Sequence, residues 1–241
     1  MLMQFSLGVC AVEPEYNWFF KRNGDQRPQL TDGERLINGY NGVCVDRGCG
    51  DEKVIYITFD VGYENGNVER ILDTLRAEDV RAAFFVLDNI IYKNIDLVNR
   101  MSEEGHLICN HTCKHKNISS YTEEQIKEEL GALEALYAER TGKEMSRYFR
   151  FPEGRYSESA LKHLNNLGYR SVFWSFAYDD WDNGRQPSPE RAIKKILDNT
   201  HCGEIILLHP TSATNAEIMP TLISKWKEMG YRFGTLDEIF M

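Results

Sequence analysis

Six polar side chains stand at, or just beyond, the ends of five apolar runs. Asp60 ends "VIYITFD", Arg150 stands in "RYFRF", and His209 ends "EIILLH". His111 and His115 follow "HLICN" in "HTCKH", and Asp180 follows "RSVFWSFA" in "YDDW". A carboxylate at the end of a buried strand is costly unless it is paired or put to use. Paired with Arg150, Asp60 stays ionised and suits the work of a general base. Asp180 on a ring N–H of His209 would keep that imidazole protonated as an acid. The two imidazoles of "HTCKH" are four residues apart, so a helical turn would put them on one side, where they can share a metal. Such a pair alone is more often structural, and Thr112 stands where the zinc-protease pattern needs Glu, which excludes that pattern. Leu207 and Trp181 are most simply core residues, although they could wall a methyl-sized pocket. His106, His163 and His201 carry no comparable pattern.

These residues need a scaffold that brings distant strand ends together. From Lys53 onward, strand-like and helix-like segments alternate. The strands are "VIYITFD", "RAAFFVL", "HLICN", "RYFRF", "RSVFWSFA", "EIILLH" and "RFGTL". Between them, Thr122 with Gln125 makes a capping box, Ser157 caps a helix, and Ser188 precedes Pro189 at a first helical position. A further helix is expected over "IMPTLISKWKEMGY". Seven strands in this alternation imply parallel pairing through right-handed crossovers. No Gly-rich phosphate loop follows the first strand, so a closed (β/α)7-type barrel is favoured over a dinucleotide-binding sheet. Sites in such barrels lie at the C-terminal strand ends, where the six polar residues fall. Residues 1–50 read as an irregular arm or cap, anchored by Trp18, Phe19 and Phe20, and residues 51–241 as the barrel.

The chain has 241 residues, 42% apolar and 27% charged, enough for one well-cored domain. A net charge of −9 excludes a nucleic-acid backbone as partner. No stretch approaches the roughly 20 apolar residues that cross a bilayer, so membrane anchoring would need a segment preceding this sequence. The start "MLMQFSLGVCAVEP" reads equally as a trimmed export signal (residues 1–12) or as a first packing segment. Six cysteines form no dense framework; Cys44 and Cys49 could staple their loop, with free or buried thiols the simpler reading.

In order, "TFD", "HTCKH", "RFPEG", "DDW" and "LLH" resemble the polysaccharide deacetylases of the NodB-homology type, a carbohydrate esterase family, over residues 51 to 241. The resemblance implies a distorted barrel that removes acetyl groups from N-acetylated sugars with a divalent metal, zinc being expected. It implies Asp60 as base, His111 and His115 as metal ligands, and Arg150 as the residue orienting Asp60. It implies Asp180 as the partner of the general acid His209, the Glu153 N–H on the oxyanion, and Trp181 and Leu207 against the acetate methyl. The family usually carries a second acid after the base as third ligand. Here that position is Val61, so weaker metal binding is expected. "TFDVGYENGN", with the arm segments "YNWFFKR" and "DQRP", resembles the branch that acts on N-acetylmuramic acid stripped of its peptide, before δ-lactam closure in spore cortex. That resemblance implies peptidoglycan glycan strands as partner, export to the wall or forespore envelope, and a monomeric enzyme. A chitin-like oligosaccharide deacetylase, a catalytically degenerate glycan-binding barrel and an unrelated metal-dependent amidohydrolase are the alternatives.

Overall fold

The computed structural model describes residues 13–241, so the reading of residues 1–12, Cys10 included, lies outside the described residues. Strand β1 (Tyr16–Asn17) pairs antiparallel with β6 (Arg155–Tyr156) in a small ribbon. The other strands form one seven-stranded sheet: β2 (Val54–Val61), β3 (Ala83–Val86), β4 (Leu107–Asn110), β5 (Ser146–Phe149), β7 (Arg170–Ser171), β8 (Glu204–Leu208) and β9 (Arg232–Phe233). Its order is β7-β5-β4-β3-β2-β8, all parallel, with β9 beside the first residues of β2. The helices are α1 (Asp32–Gly39), α2 (Asn67–Ala77), α3 (Asp88–Lys93), α4 (Ile95–Glu103), α5 (Glu123–Thr141), α6 (Glu158–Asn166), α7 (Pro189–Leu197), α8 (Ala213–Glu228) and α9 (Leu236–Ile239).

The period of two along β2 sorts its side chains into two layers. Ile55, Ile57, Phe59 and Val61 pack outward against Val68, Ile71, Leu72 and Leu75 of α2 and against α8. Val54 and Tyr56 face the barrel interior with Phe85, Cys109 and Tyr148. Asp60 continues that inward face to the mouth. A third cluster, with Trp18, Phe149, Phe151, Leu161 and Phe173, seats α5, α6 and the arm on the sheet.

The helix ends follow their caps: Thr122 and Gln125 form the reciprocal box, Ser157 accepts from Ala160, and Ser188 accepts from Arg191 with Pro189 at the first position. Three segments differ from the sequence reading. The strand expected over 170–177 is regular only at Arg170–Ser171; Val172 then bridges Val43 and Phe176 bridges Ile206. The chain thus leaves the edge of β5 and reaches that of β8 a few residues later, closing the barrel with one distorted stave. The Ser175 hydroxyl, accepting from Ile205 N at 3.2 Å, fills part of the interrupted ladder. Helix α8 starts at Ala213 under a Ser212 cap, five residues before the expected start, and holds Pro220 inside it. The arm is less irregular than expected, because α1 is capped by Thr31. Trp18 anchors it through Nε1 to the Trp174 carbonyl, whereas Phe19 is 65% exposed and anchors nothing. The Cys44–Cys49 staple is absent: all five described cysteines are free, and Cys49 Sγ accepts from Arg27.

Candidate active site

A cavity of about 660 Å³ opens at the C-terminal ends of the strands. Asp60, His111, His115, Glu153, Trp181, Leu207 and His209 line it; Arg150 and Asp180 stand behind its wall, almost fully buried. All nine residues singled out in the sequence therefore meet at one rim, from β2, β8 and the loops after β4, β5 and β7.

Arg150 is fully buried and is held at every donor position described. Its Nε donates to Val172 O at 3.1 Å, Nη2 to Thr58 Oγ1 at 2.8 Å and Phe173 O at 3.3 Å, and Nη1 to Asp60 Oδ1 at 2.9 Å. Its guanidinium also lies over the Phe85 ring, 4.1 Å from the centroid. Burial pushes the Asp60 carboxyl upward, but nearby His111, Arg150 and His209 outweigh it and hold its pKa below the usual value. Burial drives His111 itself down to about 4, so this ring is neutral near pH 7 and Arg150 is the permanent cation beside Asp60.

Across the cavity, His209 Nδ1 lies 2.7 Å from Asp180 Oδ1, and the His209 backbone N–H donates to Asp180 Oδ2 at 2.8 Å. Burial disfavours the imidazolium, yet the hydrogen bond and charge of Asp180, with the charge of Asp60, raise His209 above its ordinary pKa. The cavity thus holds an ionised carboxylate facing an imidazole that is biased toward its protonated form. Such a pair can take a proton from water on one side and give one to a leaving amine on the other.

"HTCKH" does not turn helically. Thr112 (φ 66) and His115 (φ 55) sit in the left-handed region, uncommon for residues with a Cβ, and local bonds hold them there. Thr112 N donates to Asn110 Oδ1 at 2.9 Å, Lys116 N to Thr112 Oγ1 at 3.0 Å, and Cys113 N to Glu129 Oε1 at 3.1 Å. The loop still brings the two imidazoles together, with centroids 5.0 Å apart and planes at 74°.

Among the described residues, no group of three or more His, Cys, Asp or Glu is placed to hold a metal. The two histidines nevertheless suit a cation. His111 Nδ1 meets the Arg150 carbonyl at 2.8 Å, which places the ring proton there and leaves Nε2 as a lone pair. That Nε2 is buried, has no hydrogen-bond partner, and lies 3.5 Å from Asp60 Oδ2. Val61 borders the cavity while packing in the outer layer and offers no donor.

Glu153 occupies a left-handed position (φ 58) in the turn after "RF", and its side chain is exposed. Leu207 is buried beneath the cavity. Trp181 is not a core residue: it is 59% exposed at the rim, its ring 6.3 Å from that of His209. Sequence reasoning missed Thr58 and Asn215. Thr58 is the one aliphatic hydroxyl in the strand and shares the inward face of Asp60, a signal available at period two. Asn215 donates to Asp180 Oδ2 at 2.7 Å and to His209 O at 3.0 Å from the first turn of α8. Placing that helix too late hid it.

The family model described as "Polysaccharide deacetylase" matches residues 47–172. The chain is 37% identical to the peptidoglycan-N-acetylmuramic acid deacetylase PdaA of Bacillus subtilis, over 92% of this chain and 85% of that protein. It is 33% identical to a peptidoglycan-N-acetylglucosamine deacetylase of Bacillus cereus, over 78% of this chain and 89% of that one. The solved structure of Bacillus subtilis PdaA, described as a family 4 carbohydrate esterase, superposes with a TM-score of 0.89, covering 94% of this chain and 97% of that one.

Proposed function

The chain belongs to the polysaccharide deacetylase family, and from that premise we propose that it hydrolyses the N-acetyl groups of peptidoglycan, acting on N-acetylmuramic acid before lactam closure. The observation that carries the reading is the pairing across one cavity of Asp60, held ionised by Arg150, with His209, held toward its protonated form by Asp180. Similarity to a muramic acid deacetylase, together with "GYENG", directs the choice of sugar.

In this mechanism Asp60 takes a proton from water as the water oxygen bonds to the acetamide carbonyl carbon. The Glu153 N–H donates to the developing oxyanion. His209 gives its proton to the amide nitrogen, the C–N bond breaks, and acetate leaves a free amine on the sugar. Leu207 and Trp181 flank the acetate methyl. His111 and His115 would hold a divalent ion, zinc by their donor type, which when bound polarises the acetamide carbonyl as a Lewis acid. With two protein ligands and Val61 beside them, its affinity is low. The substrate lies outside the membrane, so the reading includes export and action at the wall as a monomer.

The test is acetate release from peptide-free glycan strands. The wild type should release it, and Asp60→Asn should lose on the order of 10²–10⁴-fold in rate with an unchanged circular-dichroism spectrum. Full activity in Asp60→Asn would remove Asp60 as the base.

A further inference from the structure

A second cavity, of about 530 Å³, adjoins the first and shares Tyr178 and Trp181 as a common wall. Arg185, Arg191 and Lys195 line it. In a chain of net charge −9, these are three cations in one groove, and among the described residues none of them forms an ion pair. Asp179 and Asp182 border the groove as well; Asp182 Oδ1 is engaged by Gly184 N at 2.9 Å. Lys195 Nζ is directed to the Tyr178 ring, 5.8 Å from its centroid.

The groove is preformed. Gln186 Nε2 donates to Asp180 O at 2.9 Å and to Asp182 O at 2.7 Å, and Gln186 Oε1 accepts from Ser212, the cap of α8. The loop carrying Arg185 is therefore fastened to the residue whose carboxylate holds His209. Cations that line a cavity without a carboxylate partner of their own favour an anionic group presented by whatever lies in the first cavity.

We propose that this groove binds the carboxylate of a muramic acid residue, the lactyl ether carboxylate of a peptide-free strand, and so sets the preference for muramic over glucosaminyl N-acetyl groups. The inference rests on the deacetylase reading above and specifies its substrate. An N-acetylglucosamine residue has no group to offer here. A glycan bearing many carboxylates is repelled by an acidic protein unless local cations receive it.

The test compares four substrates by acetate release: peptide-free glycan, the same glycan with its lactyl carboxylates converted to methylamides, peptide-bearing glycan, and an N-acetylglucosamine oligomer. The proteins are the wild type, Arg185→Gln/Arg191→Gln and Lys195→Gln, none of which alters the catalytic groups. Expected are a tenfold or greater rise in KM for the peptide-free glycan in the double variant, with kcat within twofold, and a wild-type KM for the methylamide glycan already as high. Equal KM values across these comparisons overturn the proposal, as does a preference for peptide-bearing glycan that the variants abolish, which assigns the groove to stem-peptide carboxylates. A wild type that releases no acetate from any glycan overturns the deacetylase reading instead. Calorimetric binding of the peptide-free glycan to wild type and double variant then still decides the groove: weaker binding by the variant supports it, and equal binding overturns it.

Discussion

Asp180 grips His209 at two points, Oδ1 at 2.7 Å from the ring Nδ1 and Oδ2 accepting the backbone N–H at 2.8 Å. The first contact fixes the ring proton on Nδ1 in the neutral form and stabilises the imidazolium; the second fixes where the ring can stand. Asn215 completes the carboxylate's shell and ties His209 O to the same point.

A pH dependence follows from that grip. In the proposed mechanism His209 works only while protonated, and it is raised above its ordinary pKa, so activity should persist into the alkaline side before falling. Asp180→Asn keeps the shape but removes the charge, which leaves burial to push His209 down. The alkaline limb of kcat/KM should then move to lower pH, with a loss of 10-fold or more at neutral pH, on the order of a lost general-acid contribution. An unmoved limb would show that another group titrates there.

Removing Arg150 should act on stability before chemistry. Arg150→Met leaves Asp60 ionised and nearly buried without its cation, a loss of about 3–5 kcal/mol for a broken buried pair. Adding Asp60→Asn removes the stranded charge, so the double variant should be destabilised by less than the sum of the single variants. Urea unfolding of all four proteins measures this, and strict additivity would mean that the pair is not coupled.

Acid should weaken the fold through its buried histidines. Burial pushes His106 down to about 4, its Nδ1 accepting from Ala82 N at 3.1 Å while Nε2 has no partner. Below its unfolded pKa of roughly 6.5, the unfolded chain binds a proton that the folded one refuses, so stability falls with falling pH. The contribution is whole above that value and is lost as the pH drops toward 4. His106→Gln should be less stable at pH 7 but show a shallower decline between those limits by calorimetry. An identical slope would assign the acid sensitivity elsewhere.

The alternation of β-branched runs and capped helices made the barrel legible, because Thr122, Ser157 and Ser188 mark helix starts through local hydrogen bonds that need no tertiary information. The rim was legible because each polar residue stands at, or just beyond, the end of an apolar run. What stayed hidden depends on contacts between segments. The stave after Arg170 is broken by its pairing with two different edges. The "HTCKH" turn takes its left-handed positions from bonds to Asn110 and Glu129. Helix α8 begins at Ala213 under its Ser212 cap, ahead of the expected start at Ile218, and carries Pro220 in its interior.

Val61 offers the sharpest test of the metal. Its side chain is 1% exposed, packed with Phe59 and the helices while also bordering the cavity near His111. A carboxylate placed there faces two outcomes. Without a cation it is buried and unpaired, so metal-free Val61→Asp should unfold at lower temperature than the wild type. If the new carboxylate joins His111 and His115, a third protein ligand tightens zinc, and binding to the folded state alone raises the melting temperature by mass action. Calorimetric titration should therefore give Val61→Asp a lower Kd for zinc than the wild type, by tenfold or more, equivalent to about 1.4 kcal/mol. The zinc-induced rise in melting temperature should be correspondingly larger in the variant. Equal affinities would mean that a carboxylate at position 61 stays in the outer layer with Phe59 and does not reach the two histidines.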